Sequence, residues 1–235
     1  MVTQQATLAI TGTIAATLKR SRRRRSIGIK VAHGQVIVSA PEVTPIADIR
    51  YFVAQKTRWI EKHLQRQQTG LQQYKQRNYL SGDSILWLGH ELKLRVIVAA
   101  TPTVHQYESI LQLAVKENTL SARKQLLQRW YTQSAAEYLV QRVEHFQRLL
   151  DVKANGLKVR YYKSRWGSCN RRGELQFNWL LLMAPATVVD YVVVHELAHI
   201  KHFNHSTAFW QTVAQVMPNY QSHRDWLKQQ STLYW

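Results

Sequence analysis

The stretch Asp190-Tyr191-Val192-Val193-Val194-His195-Glu196-Leu197-Ala198-His199-Ile200 decides how this chain is read. Histidines four apart lie one above the other on a helical face, so two imidazoles can reach a single Zn²⁺. Glu196, beside the first histidine, can reach a zinc-activated water instead of the metal. Zinc brings the pKa of such a water toward neutrality, and a carboxylate can take its proton as general base. The five-residue pattern occurs by chance in many chains, but the context is informative. Val188, Val192, Val193, Leu197 and Ile200 make the surrounding helix apolar, as a buried helix should be. A carboxylate between two same-face histidines there is an expensive buried charge without a metal. That argues against a helix of unrelated core and surface histidines.

A catalytic zinc needs a third protein ligand and one open position. His205 is six residues beyond His199, which an unbroken helix would place on nearly the opposite face. The helix must therefore end between them, and Phe203-Asn204 is the expected end because Asn tolerates the left-handed conformation. Ser206 then caps a following helix, and His205 hangs at the corner, free to turn back toward the metal. His202, three residues after His199 and on its face of an intact helix, is the rival. A Glu or Asp from elsewhere is the third candidate. His205 is favoured because the turn explains both Asn204 and Ser206.

The chain has 235 residues, enough for one sizeable core or two small ones. With 45% hydrophobic and 10% aromatic residues it is not disordered by composition. No apolar run approaches the roughly 18 residues of a membrane span, and the first residues carry no secretory signal. The single cysteine, Cys169, excludes an intramolecular disulfide and a Cys-based structural zinc site. A reducing, cytoplasmic location is expected. Lys and Arg number 32 against 14 Asp and Glu, a net charge of +18. The excess is concentrated early: residues 1–80 hold 14 basic and 3 acidic residues. Such a surface attracts polyanions, and non-specific nucleic acid is the expected partner class beside a peptide or protein substrate. The alternative is a charge that serves solubility only.

Few glycines and prolines imply regular elements with short connections. Strands are expected over 7–18, 26–31 and 35–38, with a tight turn at His33-Gly34, then a helix over about 46–68. A polar stretch, 65–78, leads to a hairpin, 85–88 turning at Gly89-His90 into 92–98, and to a weak strand near 110–115. A long helix spans about 121–150, strands 157–163 and 174–179 flank a loop at 166–173, and helices run over 186–203, from Ser206, and over 222–230. The organisation expected is a basic N-terminal hairpin and helix region, 1–118, and a peptidase core, 119–235, forming one continuous structural unit.

The ordered set Ser164-Arg165-Trp166-Gly167-Ser168-Cys169, Gly173-x-Leu175-x-Phe177-Asn178-Trp179, Pro185, the 190–199 stretch, Asn204-His205-Ser206 and Phe209-Trp210 resembles the YgjP-like metallopeptidase family of the zincin superfamily. The resemblance runs over roughly 15–230 and is strongest over 163–220. It implies an α+β fold, a zincin-like domain with an antiparallel sheet packed on helices. It also implies zinc ligands at His195, His199 and His205, with Glu196 as catalytic base. The spacing of His205 also equals that of metzincins, but His202 stands where they have Gly.

Several further residues admit two readings. The strand 174–178 is the candidate edge for peptide binding by strand addition, or an ordinary interior strand. Asn178 either orients a site group or serves a turn. Trp166 and Trp210 line a cleft or pack in the core, the latter favoured for Trp210. Cys169 is a small buried thiol rather than a switch on zinc. Tyr191, one turn before His195, could donate to an oxyanion or pack against the sheet. Arg22-Arg23-Arg24-Arg25 reads as a basic turn whose phosphate contacts would be salt-sensitive. No recognition-helix or RNA-binding motif accompanies it.

Overall fold

The structure, a computed structural model, describes residues 5–11, 14–32, 34–65, 77–163 and 165–230. They fall into two compact units, one within 1–76 and one within 77–231. The boundary expected at 118/119 lies inside the second unit. His33, Ser164, the end of the first expected helix at 66–68 and the polar stretch to residue 76 lie outside the described residues. No described helix is long and apolar enough to cross a membrane.

In the first unit the expected strand over 7–18 is a hairpin, β1 (Gln5–Thr11) and β2 (Ile14–Ser21). It is followed by β3 (Gly28–Ala32) and β4 (Gln35–Pro41), and the sheet order is β1-β2-β4-β3. β2 and β4 run parallel, and the other pairs are antiparallel. Helix α1 (Ile46–Gln55) follows Pro45, whose fixed φ suits a helix start. Helical backbone is interrupted at Lys56 and resumes over 57–65. Ala16, Leu18, Val36 and Val38 from the sheet and Ile49, Val53 and Ile60 from the helical segments form this unit's core.

The second unit begins with β5 (Ser84–Trp87), β6 (His90–Val98), β7 (Thr103–Tyr107) and β8 (Ile110–Val115). Their order, β5-β6-β8-β7, and strand senses repeat those of the first sheet. No repeat is visible in the sequence, because the shared feature is hydrogen-bond topology and not residue identity. β7 escapes a pattern reading because only two of its five residues are even half-buried.

Helix α2 (Leu120–Leu150) starts at Thr119, whose side chain accepts from the Ala122 N–H. It ends at Asp151 in the left-handed region. Its buried stripe, Leu127, Tyr131, Ala135, Leu139, Val143, Phe146 and Leu150, faces both the second sheet and the site core.

A third sheet, β10-β11-β9, carries the site: β9 (Leu157–Arg160), β10 (Gly167–Cys169) and β11 (Leu175–Asn178). It is mixed, not antiparallel as expected, because β11 pairs antiparallel with β10 but parallel with β9. A 3₁₀ turn, Trp179–Met183, leads to Pro185 and to helix α3 (Ala186–Lys201), followed by α4 (Thr207–Val216) and α5 (Tyr220–Gln230). The β5–β6 turn docks here: the Leu88 N–H donates to the Leu182 carbonyl at 2.6 Å. A Cβ on Gly89 would meet the Pro185 Cα at 2.9 Å, and its φ of +82° also suits glycine.

α3 is apolar almost all round, with Val188, Val189, Val192, Val193, Val194, Leu197 and Ala198 buried. Its polar anchor to α2 is the bidentate pair of Arg142 Nε and Nη2 with Asp190, at 2.6 and 2.9 Å.

Candidate metal centre

The helix carrying His195 and His199 stops two residues earlier than expected. His202 is its C-cap, with extended backbone (φ −135°, ψ 106°), and its N–H still donates to the Ala198 carbonyl. This break removes His202 from the face of His199. Its carbonyl, not its ring, serves the site: His199 Nδ1 lies 3.0 Å from the His202 oxygen. With Nδ1–H donating there, the His199 Nε2 lone pair is left for a metal. Ser206 caps α4 by accepting from the Phe209 N–H, so His205 occupies the corner between the two helices.

The folded chain brings three of the expected residues together. One nitrogen from each of His195, His199 and His205 lies within 4.8 Å of the other two. The Nε2 atoms of His195 and His205 are 3.1 Å apart. Zn–N bonds of about 2.05 Å in a tetrahedron place ligand nitrogens about 3.3 Å apart. The donor set therefore fits a small divalent ion. Burial, reinforced by the other two histidines and by Arg224, holds His195 down to about 3. Burial also lowers His199, against the His202 carbonyl. Neutral imidazoles keep the lone pairs that a metal requires. Phe209, fully buried, floors the cluster with its ring centroid 4.6 to 4.9 Å from all three imidazoles.

Glu196 points to the third sheet. Alternate residues of an antiparallel pair bond to the partner strand. Trp166 O accepts from Asn178 N, and Asn170 N donates to Glu174 O. Gly167 and Cys169 therefore turn their backbone groups away from β11, and the Cys169 N–H favours the charged form of Glu196. A Cβ on Gly167 would lie 2.8 Å from Glu196 Cγ and Oε1. Burial pushes the Glu196 carboxyl up to about 8, opposed by the Cys169 N–H and by Arg165. A dication at the imidazoles favours the charged carboxylate and lowers that value.

Of the two readings of the strand 174–178, the structure shows the interior one. β11 lies between its neighbours, and β10 is the edge beside α3. The sequence reads as loop over 167–169 because a three-residue strand containing Gly has no periodicity. Asn178 is a structural latch. Its Nδ2 donates to the Tyr162 and Arg165 carbonyls and its Oδ1 accepts from Leu180 N, which pins the loop entering β10.

The Cys169 thiol is half-buried, and burial and Glu196 push it up to about 11. Tyr191 is buried, with its ring 5.9 Å from His195, and burial pushes it up to about 12. Trp210 packs where core packing was favoured, yet it also touches the site: it stacks on His205 at 5.6 Å and lies 5.8 Å from His195. Sequence reasoning missed Gly167 and Arg224. The glycine's signal was its place inside the quoted motif, whereas Arg224 had none.

Comparison with known proteins gives the chain a family. The family model described as YgjP-like, metallopeptidase domain, matches residues 25–230. No curated protein sequence matches the chain. Among solved structures, the metallopeptidase zymogen abylysin of Pyrococcus abyssi aligns at 23% identity, over 40% of this chain and 94% of that one, with a TM-score of 0.37. That likeness is too slight to bear on the fold. With the family match spanning both units and the imidazole cluster inside it, the chain belongs to the YgjP-like family of metal-dependent peptidases.

Proposed function

We propose that the chain is a zinc peptidase in which His195, His199 and His205 hold the metal and Glu196 is the general base. The observation that carries this reading is the convergence of three imidazole nitrogens within 4.8 Å beside a buried carboxylate packed against Gly167. When bound, zinc supplies Lewis-acid polarisation of the scissile carbonyl and an activated water. Glu196 takes the proton of the attacking water and returns it to the leaving amine. The close approach of Gly167 limits where the carboxylate can turn. The peptide main chain pairs with the free edge of β10, where Gly167 offers an N–H and a carbonyl without a ladder partner. Phe209 and Trp210 exclude water from the far side of the imidazoles.

The alternative, a polyanion-binding protein with a structural zinc, has less support. Structural sites close with a fourth protein ligand, and among the described residues this cluster holds three donors.

The test combines metal content and turnover. The wild type should carry about one zinc per chain and cleave peptides, and chelation should abolish both. Glu196→Gln should keep the metal and lose turnover by a factor of about 10² or more. Full activity in Glu196→Gln would exclude this carboxyl as the base.

A further inference from the structure

We propose that the site selects acidic peptides, with Arg165 and Arg224 receiving substrate carboxylates near the scissile bond. The inference rests on the peptidase reading above and adds a substrate class to it.

The two arginines reach the site from different elements. Arg165 lies two residues before Gly167, the residue in contact with Glu196, and its carbonyl is held by Asn178 Nδ2 at 3.2 Å. Its guanidinium lies over the Tyr162 ring at 5.3 Å. Arg224 comes from α5, with its guanidinium 5.1 Å from the ring centre of Trp210, the residue stacked on His205. Tyr220, one turn earlier on α5, stacks on the same indole at 5.0 Å and 13° and steadies the arrangement.

Among the described residues neither guanidinium forms an ion pair with a carboxylate. The ion pairs among the described residues are Arg22–Glu42, Arg142–Asp190 and Lys228–Asp225. The surrounding segment repeats the pattern: residues 151–173 hold seven basic residues and one acidic residue. Arg160 spends its donors on Tyr162 and Gln176, and Glu174 accepts from Asn170. Ring-stacked cations without an ion-pair partner among the described residues are complementary to an incoming anion, and the guanidinium fork matches a carboxylate. An extended peptide on the edge of β10 would bring its side chains, or a free C-terminus, into this field. A nucleic acid would share the charge but has no use for the unpaired main-chain groups of Gly167.

The experiment uses the full-length, zinc-loaded Glu196→Gln protein, so that binding is read without turnover. Fluorescent hexapeptides of one sequence carry Glu, Gln or Lys at two positions, and anisotropy gives their Kd at 50 and 300 mM salt. The Glu peptide should bind about tenfold more tightly than the Gln peptide at low salt, the Lys peptide should bind weakest, and the spread should shrink at high salt. Arg165→Gln and Arg224→Gln should each remove up to about fivefold of the preference, as an exposed ion pair does. Replacing all four of Arg22 to Arg25 by Gln should leave it intact. Equal Kd values for the Glu and Gln peptides, or a preference that survives the double Arg165→Gln/Arg224→Gln variant, would overturn the proposal. Displacement of the Glu peptide by a short oligonucleotide that itself depends on these two arginines would reassign them to nucleic acid and overturn it as well. The peptidase reading fails separately, if the zinc-loaded wild type cleaves none of the three peptides while the binding preference persists.

Discussion

Gly167→Ala isolates the contact that positions the proposed base. A Cβ there would sit 2.8 Å from Glu196 Cγ and Oε1 and 3.0 Å from Cδ. Ordinary carbon contacts are about 3.5 to 4.0 Å, so Glu196 or β10 must move by about 0.7 Å or more. Gly167 is not among the glycines at positive φ, so alanine fits the backbone and the effect is steric alone. Absorbed as overpacking, the clash costs about 1–3 kcal/mol of stability. Absorbed as a displaced carboxylate, a misplacement near 1 Å costs about 10²-fold in kcat/KM, or about 2.7 kcal/mol in the barrier. Hydrolysis of a fluorogenic peptide measures the second effect, and zinc content should be unchanged because no metal ligand is touched. Urea unfolding in chelator measures the first. Glu196→Ala removes all three crowded atoms, so Gly167→Ala should be nearly neutral in that background. The resulting coupling energy should equal most of the cost seen in the wild type. An unreduced kcat/KM, or the same destabilisation with and without the Glu196 side chain, would refute the contact as the reason for glycine.

Further outcomes follow from the same geometry. His195→Ala, His199→Ala and His205→Ala should each lose most of the bound zinc, whereas His202→Ala should keep it because only the main-chain carbonyl of His202 serves His199. Full zinc in His205→Ala would exclude that ligand. In chelator, Glu196, raised from 4.5 to about 8, contributes stability that is present below about pH 4.5 and lost as pH rises through about 8. His195, lowered from 6.5 to about 3, contributes stability present above about pH 6.5 and lost as pH falls through about 3. The two slopes cancel between these ranges, so the chelated protein should weaken from about pH 6.5 to 8, and the gain in Tm on adding zinc should widen over that interval. A flat difference would contradict the buried neutral carboxyl. The basic first unit, with the Arg22 side chain 88% exposed, should bind DNA or RNA weakly and lose affinity steeply between about 50 and 200 mM salt. Changing Arg22 to Arg25 to Gln should flatten that slope, and no binding at low salt would reduce the charge to a solubility feature.

The helix carrying His195 and His199 was legible because the spacing of its histidines is a local matter. The i, i+4 spacing of His195 and His199 and the apolar run around them are both periodic signals within one element. His205 was legible through its capping neighbour Ser206, another local interaction. The long helix 120–150 and the hairpin 84–98 followed in the same way from stripe and alternation. The second sheet's likeness to the first was not legible, because strand order is a relation between segments far apart in sequence.

What the sequence by itself determined is therefore the donor set: three imidazoles and an adjacent carboxylate on or beside one buried helix, together with the charge of the chain. Tertiary structure alone decided the surroundings of that set. It made β10 the edge strand instead of β11, because the parallel partner β9 covers the other side of β11. It set Gly167 and the Cys169 N–H against Glu196, and it carried Arg224 from the last helix over Trp210 to the imidazoles. The physical reason is range. Helical periodicity and caps act over about four residues, whereas the groups that face Glu196 and the imidazoles arrive from segments 19 to 31 residues away, and only packing brings them there.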